Sequence, residues 1–366
     1  MKSKLLIIGE AHGSNEAKIG RGFVGATGSE LFKLLDEAGV IKLTSEDYSY
    51  ISKYWQTEDP THLDMVWNMH PELYRTNVFN LHPPSNKIEA FCGTKAGGIA
   101  GYPALVKGKY VRSEFLPELD RLGSEIIDVN PNLILALGNT AMWAILGRTT
   151  ISKLRGTTSY STHTVSDYKV LPTYHPAAIF RQWELRPTLV IDLMKAAREQ
   201  EFPEIRRPKR EVWIEPTLED IDEFDRRYIQ NAERLAVDIE TSGSVITCIG
   251  FAPSRSLAIV IPFTDERKLG KSYWPTHAHE HSAWKAVRTI LERPKPDKVL
   301  QNGIYDLAFL WRAYGIRVYG FTEDCMLAHH ALQPESLKSL GYLASLYCDL
   351  PAWKASHTAA TIKRDA

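Results

Sequence analysis

Cysteine is scarce in this chain: four residues in 366, at Cys92, Cys248, Cys325 and Cys348, with no C-x-x-C pair. Such wide spacing excludes a disulfide scaffold and any zinc or iron–sulfur centre built from neighbouring ligands, leaving buried free thiols as the expectation. Long apolar runs are missing too. No stretch approaches the roughly 20 residues that span a bilayer. The opening Met1-Lys2-Ser3-Lys4 leads into only Leu5 to Ile8, short of the about 7–15 apolar residues of a signal peptide. The chain therefore reads as cytoplasmic, with no membrane partner. An excess of charge is also absent, because Lys+Arg and Asp+Glu balance at 44 each. Neutrality removes any general pull toward phosphate, although carboxylates that hold metal ions can offset a basic groove in the sum. There is no internal repeat and no low-complexity tract.

What is present is enough material for two cores. At 366 residues, 44% of them hydrophobic, two domains are the natural reading. Leu5 to Ile8, Leu133 to Leu137 and Lys169 to Tyr174 read as strands. They alternate with amphipathic helices that begin near Thr27, Phe115, Asn139 and Leu185, and Thr27 with Glu30 has capping-box spacing. Strands alternating with helices imply an α/β fold with a mainly parallel sheet. Gln200 to Arg210 then changes character, with two prolines and the basic residues Arg206, Arg207, Lys209 and Arg210, and suits a solvated linker. A second alternating pattern follows: strands at Leu235–Glu240, Ile246–Ala252, Leu257–Ile261 and Lys298–Gln301, and helices at Glu280–Leu291, Asp306–Arg312 and Asp324–Leu332. The expected organisation is a first domain over 1–199, a linker over 200–211 and a second domain over 212–366.

The second half carries metal-type chemistry. Asp238-Ile239-Glu240 puts two carboxylates on one face of a strand, because side chains alternate with period two. Two such groups repel unless a cation lies between them, and hard divalent ions such as Mg²⁺ favour an all-oxygen setting. Asn302 and Asp306 are four apart at a helix start, so they face the same way and Asp306 adds a third carboxylate. The Asp238-Ile239-Glu240-Thr241 strand, the segment Gln301-Asn302-Gly303-Ile304-Tyr305-Asp306 and the run Asp324 to His330 resemble the proofreading 3′→5′ exonuclease domain of family A DNA polymerases, in that order. Pro334 to Ala344 resembles the helix that follows in phage members. The resemblance implies a ribonuclease-H-like mixed sheet, Asp238, Glu240 and Asp306 as ligands of two Mg²⁺ or Mn²⁺ ions, and Asn302 beside the substrate. The family's fourth carboxylate lies in a Y-x-x-x-D motif. Thr361 to Asp365 has that spacing without the tyrosine, which makes Asp365 the implied fourth catalytic and metal-binding residue. Asp324 reads as a helix N-cap. The chemistry implied is two-metal hydrolysis of a terminal phosphodiester.

In the first half, Gly9-Glu10-Ala11-His12-Gly13 follows the first strand, where ligands bind in open α/β sheets. With Phe23-Val24-Gly25, Asn77 to Pro84, Leu133 to Ala141 and Tyr174 to Ile179, it resembles the uracil-DNA glycosylase superfamily, its family 4 group above all, over roughly residues 4–198. The resemblance implies Glu10 positioning water, Phe23 stacking on an extruded uracil and Asn77 reading its polar edge. It makes His175 the group that stabilises the departing base, and puts Ile179, Phe180 and Arg181 in the loop that enters the duplex. Three departures stand out, one of them a long irregular stretch, Phe91 to Tyr110, that replaces a familiar segment. His12 replaces the usual proline, and Leu81 replaces a cluster cysteine, leaving only Cys92 in this half, so no iron–sulfur cluster is expected.

The same domain order resembles the front of certain phage DNA polymerases. It implies a DNA replication or repair protein in a bacterial or infected host cell, acting on single-stranded or frayed 3′ ends and on uracil-containing DNA. The chain itself is expected to be the front of a longer polymerase, or to work with a polymerase or replisome partner. Three readings stay open: a metal-dependent 3′→5′ exonuclease, a monofunctional uracil glycosylase with an inert second half, and a non-catalytic DNA-binding scaffold.

Overall fold

The apolar run Leu5 to Ile8 is fully buried on both faces of a sheet. Leu5 and Ile7 join one core with Leu133, Leu135 and Leu137, while Leu6 and Ile8 join another with Ile134 and Ala136. A run with no polar position is what a strand covered by helices on both sides requires, and each such side chain contributes about 1.5–3 kcal/mol. A computed structural model describes residues 3–265, 267, 271–348 and 350. Those residues divide into two compact units, one running to Arg206 and taking in the segment from Gly341, the other Arg207–Leu340.

The first unit contains β1 (Leu5–Ala11), α1 (Ser14–Ile19), α2 (Ala26–Glu37), α3 (Ser45–Thr57), α4 (Pro60–Met69) and β2 (Leu73–Phe79). After the two-residue strands β3 (Cys92–Gly93) and β4 (Tyr110–Val111) come α5 (Leu116–Val129), β5 (Leu133–Leu137), α6 (Gly138–Leu146) and α7 (Ile151–Leu154). β6 (Ser159–His163), β7 (Val165–Thr173) and α8 (Arg186–Glu199) complete it. The sheet order is β2-β1-β5-β7-β6, parallel except for β6. In register, Gly9 lies beside Asn77 and Leu137 beside Thr173, so the carboxyl ends of the four parallel strands line up. The expected strands and closing helix lie where the apolar pattern puts them. The capping box at Thr27 does not form: α2 is capped by Gly25 without a side-chain bond, and Glu30 pairs with Arg186 at 3.5 Å. The helix start is set by packing, because Gly28 sits so close to the Phe23 carbonyl that a Cβ would lie 1.9 Å from its oxygen.

The second unit holds β8 (Glu211–Trp213), α9 (Leu218–Phe224), β9 (Arg234–Ser242), β10 (Val245–Ser254), β11 (Leu257–Pro262), β12 (Thr264–Asp265) and β13 (Lys271–Ser272). These are followed by α10 (His277–Glu292), β14 (Asp297–Leu300), α11 (Gly303–Tyr314), β15 (Phe321–Asp324) and α12 (Cys325–Leu332). Its main sheet, β15-β14-β9-β10-β11-β8, is mixed, with β9, β10 and β11 antiparallel and the outer pairs parallel. The α/β class with one mostly parallel and one mixed sheet is borne out.

The last described helix, α13 (Leu340–Tyr347), belongs by its contacts to the first unit rather than to the second, where the sequence order puts it. Buried polar groups are the reason. Arg155, paired with Asp192, donates from Nη1 to Ser345 Oγ at 2.8 Å. Lys195 Nζ donates to the carbonyls of Gly156, Ser345 and Cys348 at 3.1, 2.6 and 2.9 Å, and Thr188 bonds the Tyr342 hydroxyl at 2.7 Å. The linker is tied down as well, since Lys169 Nζ donates to the carbonyls of Phe202 and Glu204. The expectation of buried thiols holds for Cys92 alone: Cys248 is partly exposed, and Cys325 and Cys348 are exposed. Among the described residues, no helix is long and apolar enough to cross a membrane.

Candidate active sites

In the first unit the aligned strand ends open onto a cleft of about 670 Å³, lined by Glu10, Phe23, Asn77, His175 and Arg181 together with Glu89. Phe23 takes a left-handed backbone conformation, φ 59°, and its carbonyl accepts the Trp67 indole N–H at 3.0 Å. Gly9 makes room for the pocket, because a Cβ there would stand 2.2 Å from Asn77 Oδ1 and 2.7 Å from Phe23 Cζ. The rings of Phe23 and His175 lie nearly parallel, with centroids 6.1 Å apart.

His175 follows β7 and heads the short turn Pro176–Ala178, where its Nδ1 accepts the Ala177 N–H at 3.3 Å. That bond places the proton of a neutral ring on Nε2. Burial, followed by the charge of Arg181, pushes its pKa down to about 4, so the ring is neutral at physiological pH. Glu10 accepts a hydrogen bond from the Thr140 hydroxyl of α6. Burial raises its pKa, the Thr140 bond opposes that, and Glu89 adds a further upward push.

One expectation is overturned here. Ile179, 1% exposed, is part of the core and cannot enter a duplex. Phe180 to Glu184 of that loop are exposed, with the Arg186 guanidinium 5.3 Å from the Trp183 ring. At the departure from family 4, the His12 N–H donates to the Leu81 carbonyl at 3.2 Å, a bond that proline could not make. Thr140, Glu89 and Trp183 escaped the sequence reading, since nothing in local spacing marks residues brought together from separate elements.

In the second unit, Asp238 and Glu240 project from the exposed face of β9, while Ile239 between them, 6% exposed, faces the core. Asp306, in the first turn of α11, is 5% exposed and accepts the Ile239 N–H on Oδ1 at 3.1 Å. Burial, helped by the charge of Asp238, lifts its pKa to about 6. Among the described residues, no group of three or more His, Cys, Asp or Glu side chains stands at metal-binding spacing. Two of the three carboxyls are nonetheless neighbours. Asp306 sits directly behind β9 and feels the charge of Asp238, and an all-oxygen donor set suits Mg²⁺ or Mn²⁺. Asp365, the implied fourth ligand, lies outside the described residues.

Asn302 is exposed at the N-cap position of α11 with φ 58° and no side-chain capping bond, so it lies outside the helical geometry that would align it with Asp306. The Thr241 and Tyr305 hydroxyls bond at 2.7 Å beside the carboxylates, a pairing that the sequence pattern did not mark. Asp324 caps α12 as expected, accepting from the Met326 and Leu327 N–H groups.

Comparison with known proteins also divides the chain in two, with the segment from Gly341 matched together with the second part. The family model described as the uracil DNA glycosylase superfamily matches residues 1–198, and one described as 3′-5′ exonuclease matches 218–365. Among solved structures, the EXD2 exonuclease domain soaked in Mg and dGMP is similar at 19% identity, covering 42% of this chain and 83% of that one, with a TM-score of 0.25. The Trypanosoma brucei RNase D:GMP complex is similar at 16% identity, covering 42% of this chain and 46% of that one, with a TM-score of 0.31. No curated protein matches the chain. By these matches the chain belongs to the uracil DNA glycosylase superfamily and carries a 3′-5′ exonuclease domain behind its glycosylase-like domain.

Proposed function

We propose that this chain is a DNA-processing hydrolase whose second unit removes nucleotides from 3′ ends at Asp238, Glu240 and Asp306. The observation that carries this reading is the pair of exposed carboxylates on one face of β9 with Asp306 held directly behind them by the Ile239 N–H. Mg²⁺ or Mn²⁺ held by these residues, and by Asp365, would supply an acidified water and neutralise charge on the leaving oxygen. The chain's own residues do the rest. Ile239 N–H fixes one oxygen of Asp306 against β9. The Thr241–Tyr305 hydroxyl pair forms a polar rim on which a terminal nucleotide is oriented.

The first-unit cleft favours a second activity, excision of uracil without a metal. A neutral His175 with its proton on Nε2 donates to the oxygen of a departing base, stabilising the charge that develops there. Phe23 supplies the stacking wall and Glu10, bonded to Thr140, the site for water. This chemistry suits a protein of DNA replication or repair. The domain order supports its being the front of a phage-type polymerase.

The test uses one 5′-labelled single strand with an internal uracil, incubated with Mg²⁺ or with EDTA. Shortening from the 3′ end in Mg²⁺, lost in Asp238→Ala, supports the exonuclease reading. Alkali-sensitive breaks at the uracil in EDTA, lost in His175→Ala, support the glycosylase reading. Retention of the labelled strand without turnover in either condition would reject both in favour of a binding scaffold.

A further inference from the structure

Gly303, the first residue of α11, is wedged in a tight corner: a Cβ there would lie 2.8 Å from the Leu300 Cβ and 3.3 Å from the Phe321 ring. The preceding residue, Asn302, turns through φ 58°, and its own side chain does not cap the helix. The first amides of α11 therefore need an acceptor from elsewhere. Asp324 supplies it from the neighbouring strand, where it pairs in register with Leu300. Its Oδ1 accepts the Asn302 N–H at 3.1 Å and its Oδ2 the Gly303 N–H at 2.8 Å. The same carboxylate caps its own helix, accepting on Oδ1 from Met326 N–H at 2.8 Å and Leu327 N–H at 3.4 Å. One side chain thus closes the N-termini of both α11 and α12.

We infer that Asp324 is a positioning residue of the exonuclease site, fixing where α11 begins and hence where Asp306 meets β9. Asp306 lies three residues beyond Gly303, within the first turn, so a shift at the start of the helix moves its carboxyl with little attenuation. The Asp306 to Ile239 bond, 3.1 Å long, has no slack to absorb such a shift. The charge of Asp324 also suits two helix N-termini at once. Alanine at 324 leaves four amides without this acceptor. Asparagine offers one carbonyl oxygen: in the Oδ1 place it keeps Asn302, Met326 and Leu327 but turns its N–H₂ against the Gly303 N–H, and in the Oδ2 place it keeps Gly303 alone, so α11 loses one acceptor either way.

This inference rests on the exonuclease reading, and the test separates the two. Mn²⁺ binding to the full chain is measured by calorimetry, and kcat and KM on a single-stranded oligonucleotide are measured in parallel. Asp324→Ala is expected to weaken Mn²⁺ binding and lower kcat by about 10- to 100-fold, as loss of groups that orient metal ligands does, with KM for the strand little changed. Asp324→Asn is expected to fall between wild type and alanine. It decides the matter should the alanine variant not fold. Wild-type Mn²⁺ affinity and kcat in Asp324→Asn, in a chain whose wild type is active, would overturn the inference and leave the exonuclease reading intact. A wild-type chain that neither binds Mn²⁺ nor shortens the strand would overturn both.

Discussion

At Asp306 the fold takes a carboxyl group out of water, offers it backbone amides, that of Ile239 among them, and places Asp238 beside it. His175 is treated the opposite way, as a base kept unprotonated by the same cause, burial. Burial thus disfavours the charged form of each, keeping His175 unprotonated at physiological pH and raising the pH at which Asp306 gives up its proton to about 6. For Asp306 the folded pKa, about 6, lies above the ordinary 3.8. Its contribution to stability is therefore full below the ordinary value and is lost as pH rises through about 6. Asp306→Asn should accordingly raise the melting temperature of the second unit in EDTA at neutral pH, with the gain vanishing near about pH 4. A gain of equal size at both pH values, or none at either, would show that the carboxyl is not perturbed.

Among the elements, the loop after β7 separates two jobs that its sequence runs together. Ile179 anchors it in the core, whereas Phe180 and Trp183 are 55% and 65% exposed. Ile179→Ala should cost about 2–5 kcal/mol in denaturant unfolding, the range for buried aliphatic truncations. Trp183→Ala should leave stability within about 0.5 kcal/mol while weakening retention of single-stranded DNA, read by fluorescence anisotropy. The reverse pattern would exchange the two roles. Helix α13 offers a second case. Ser345 accepts from the buried Arg155 guanidinium, so Ser345→Ala should destabilise the first unit by about 1.5–3 kcal/mol, the value of a hydrogen bond to a charged group. Hydrogen exchange in α8, whose Lys195 also binds this helix, reports on it directly. Unchanged protection there would mean that α13 is dispensable to the first unit.

For the whole molecule, the two activities proposed are assigned to two sheets built on different plans. In that proposal the carboxylates of β9 need a divalent cation, whereas the neutral His175 does not. The two proposed activities should therefore be separable. EDTA or Asp238→Ala should abolish 3′-end shortening and leave uracil excision within about twofold, and His175→Ala should do the opposite, each lowering its own rate by on the order of 100-fold. Loss of both activities in either single variant would show that they share one site.

By itself the sequence determined the class and order of the two domains, the core strands and the shared face of Asp238 and Glu240 on β9. Leu5 to Ile8, Leu133 to Leu137 and Asp238-Ile239-Glu240 are legible because burial and strand alternation act on neighbours in the chain. Glu10, Asn77 and His175, at or beside strand ends, and Phe23, between α1 and α2, were legible because each belongs to a recognisable motif, and all four line one cleft. Tertiary structure alone decided the rest. It buried Ile179 while exposing its neighbours, capped α2 with Gly25 instead of Thr27, and joined Asp324 to the start of α11. It also gave α13 to the first unit, through Arg155 and Lys195. These outcomes turn on which buried polar group finds an acceptor and which side chain finds space. For Asp324 and for α13 both depend on residues 21 to 190 positions away along the chain, where no local pattern reaches.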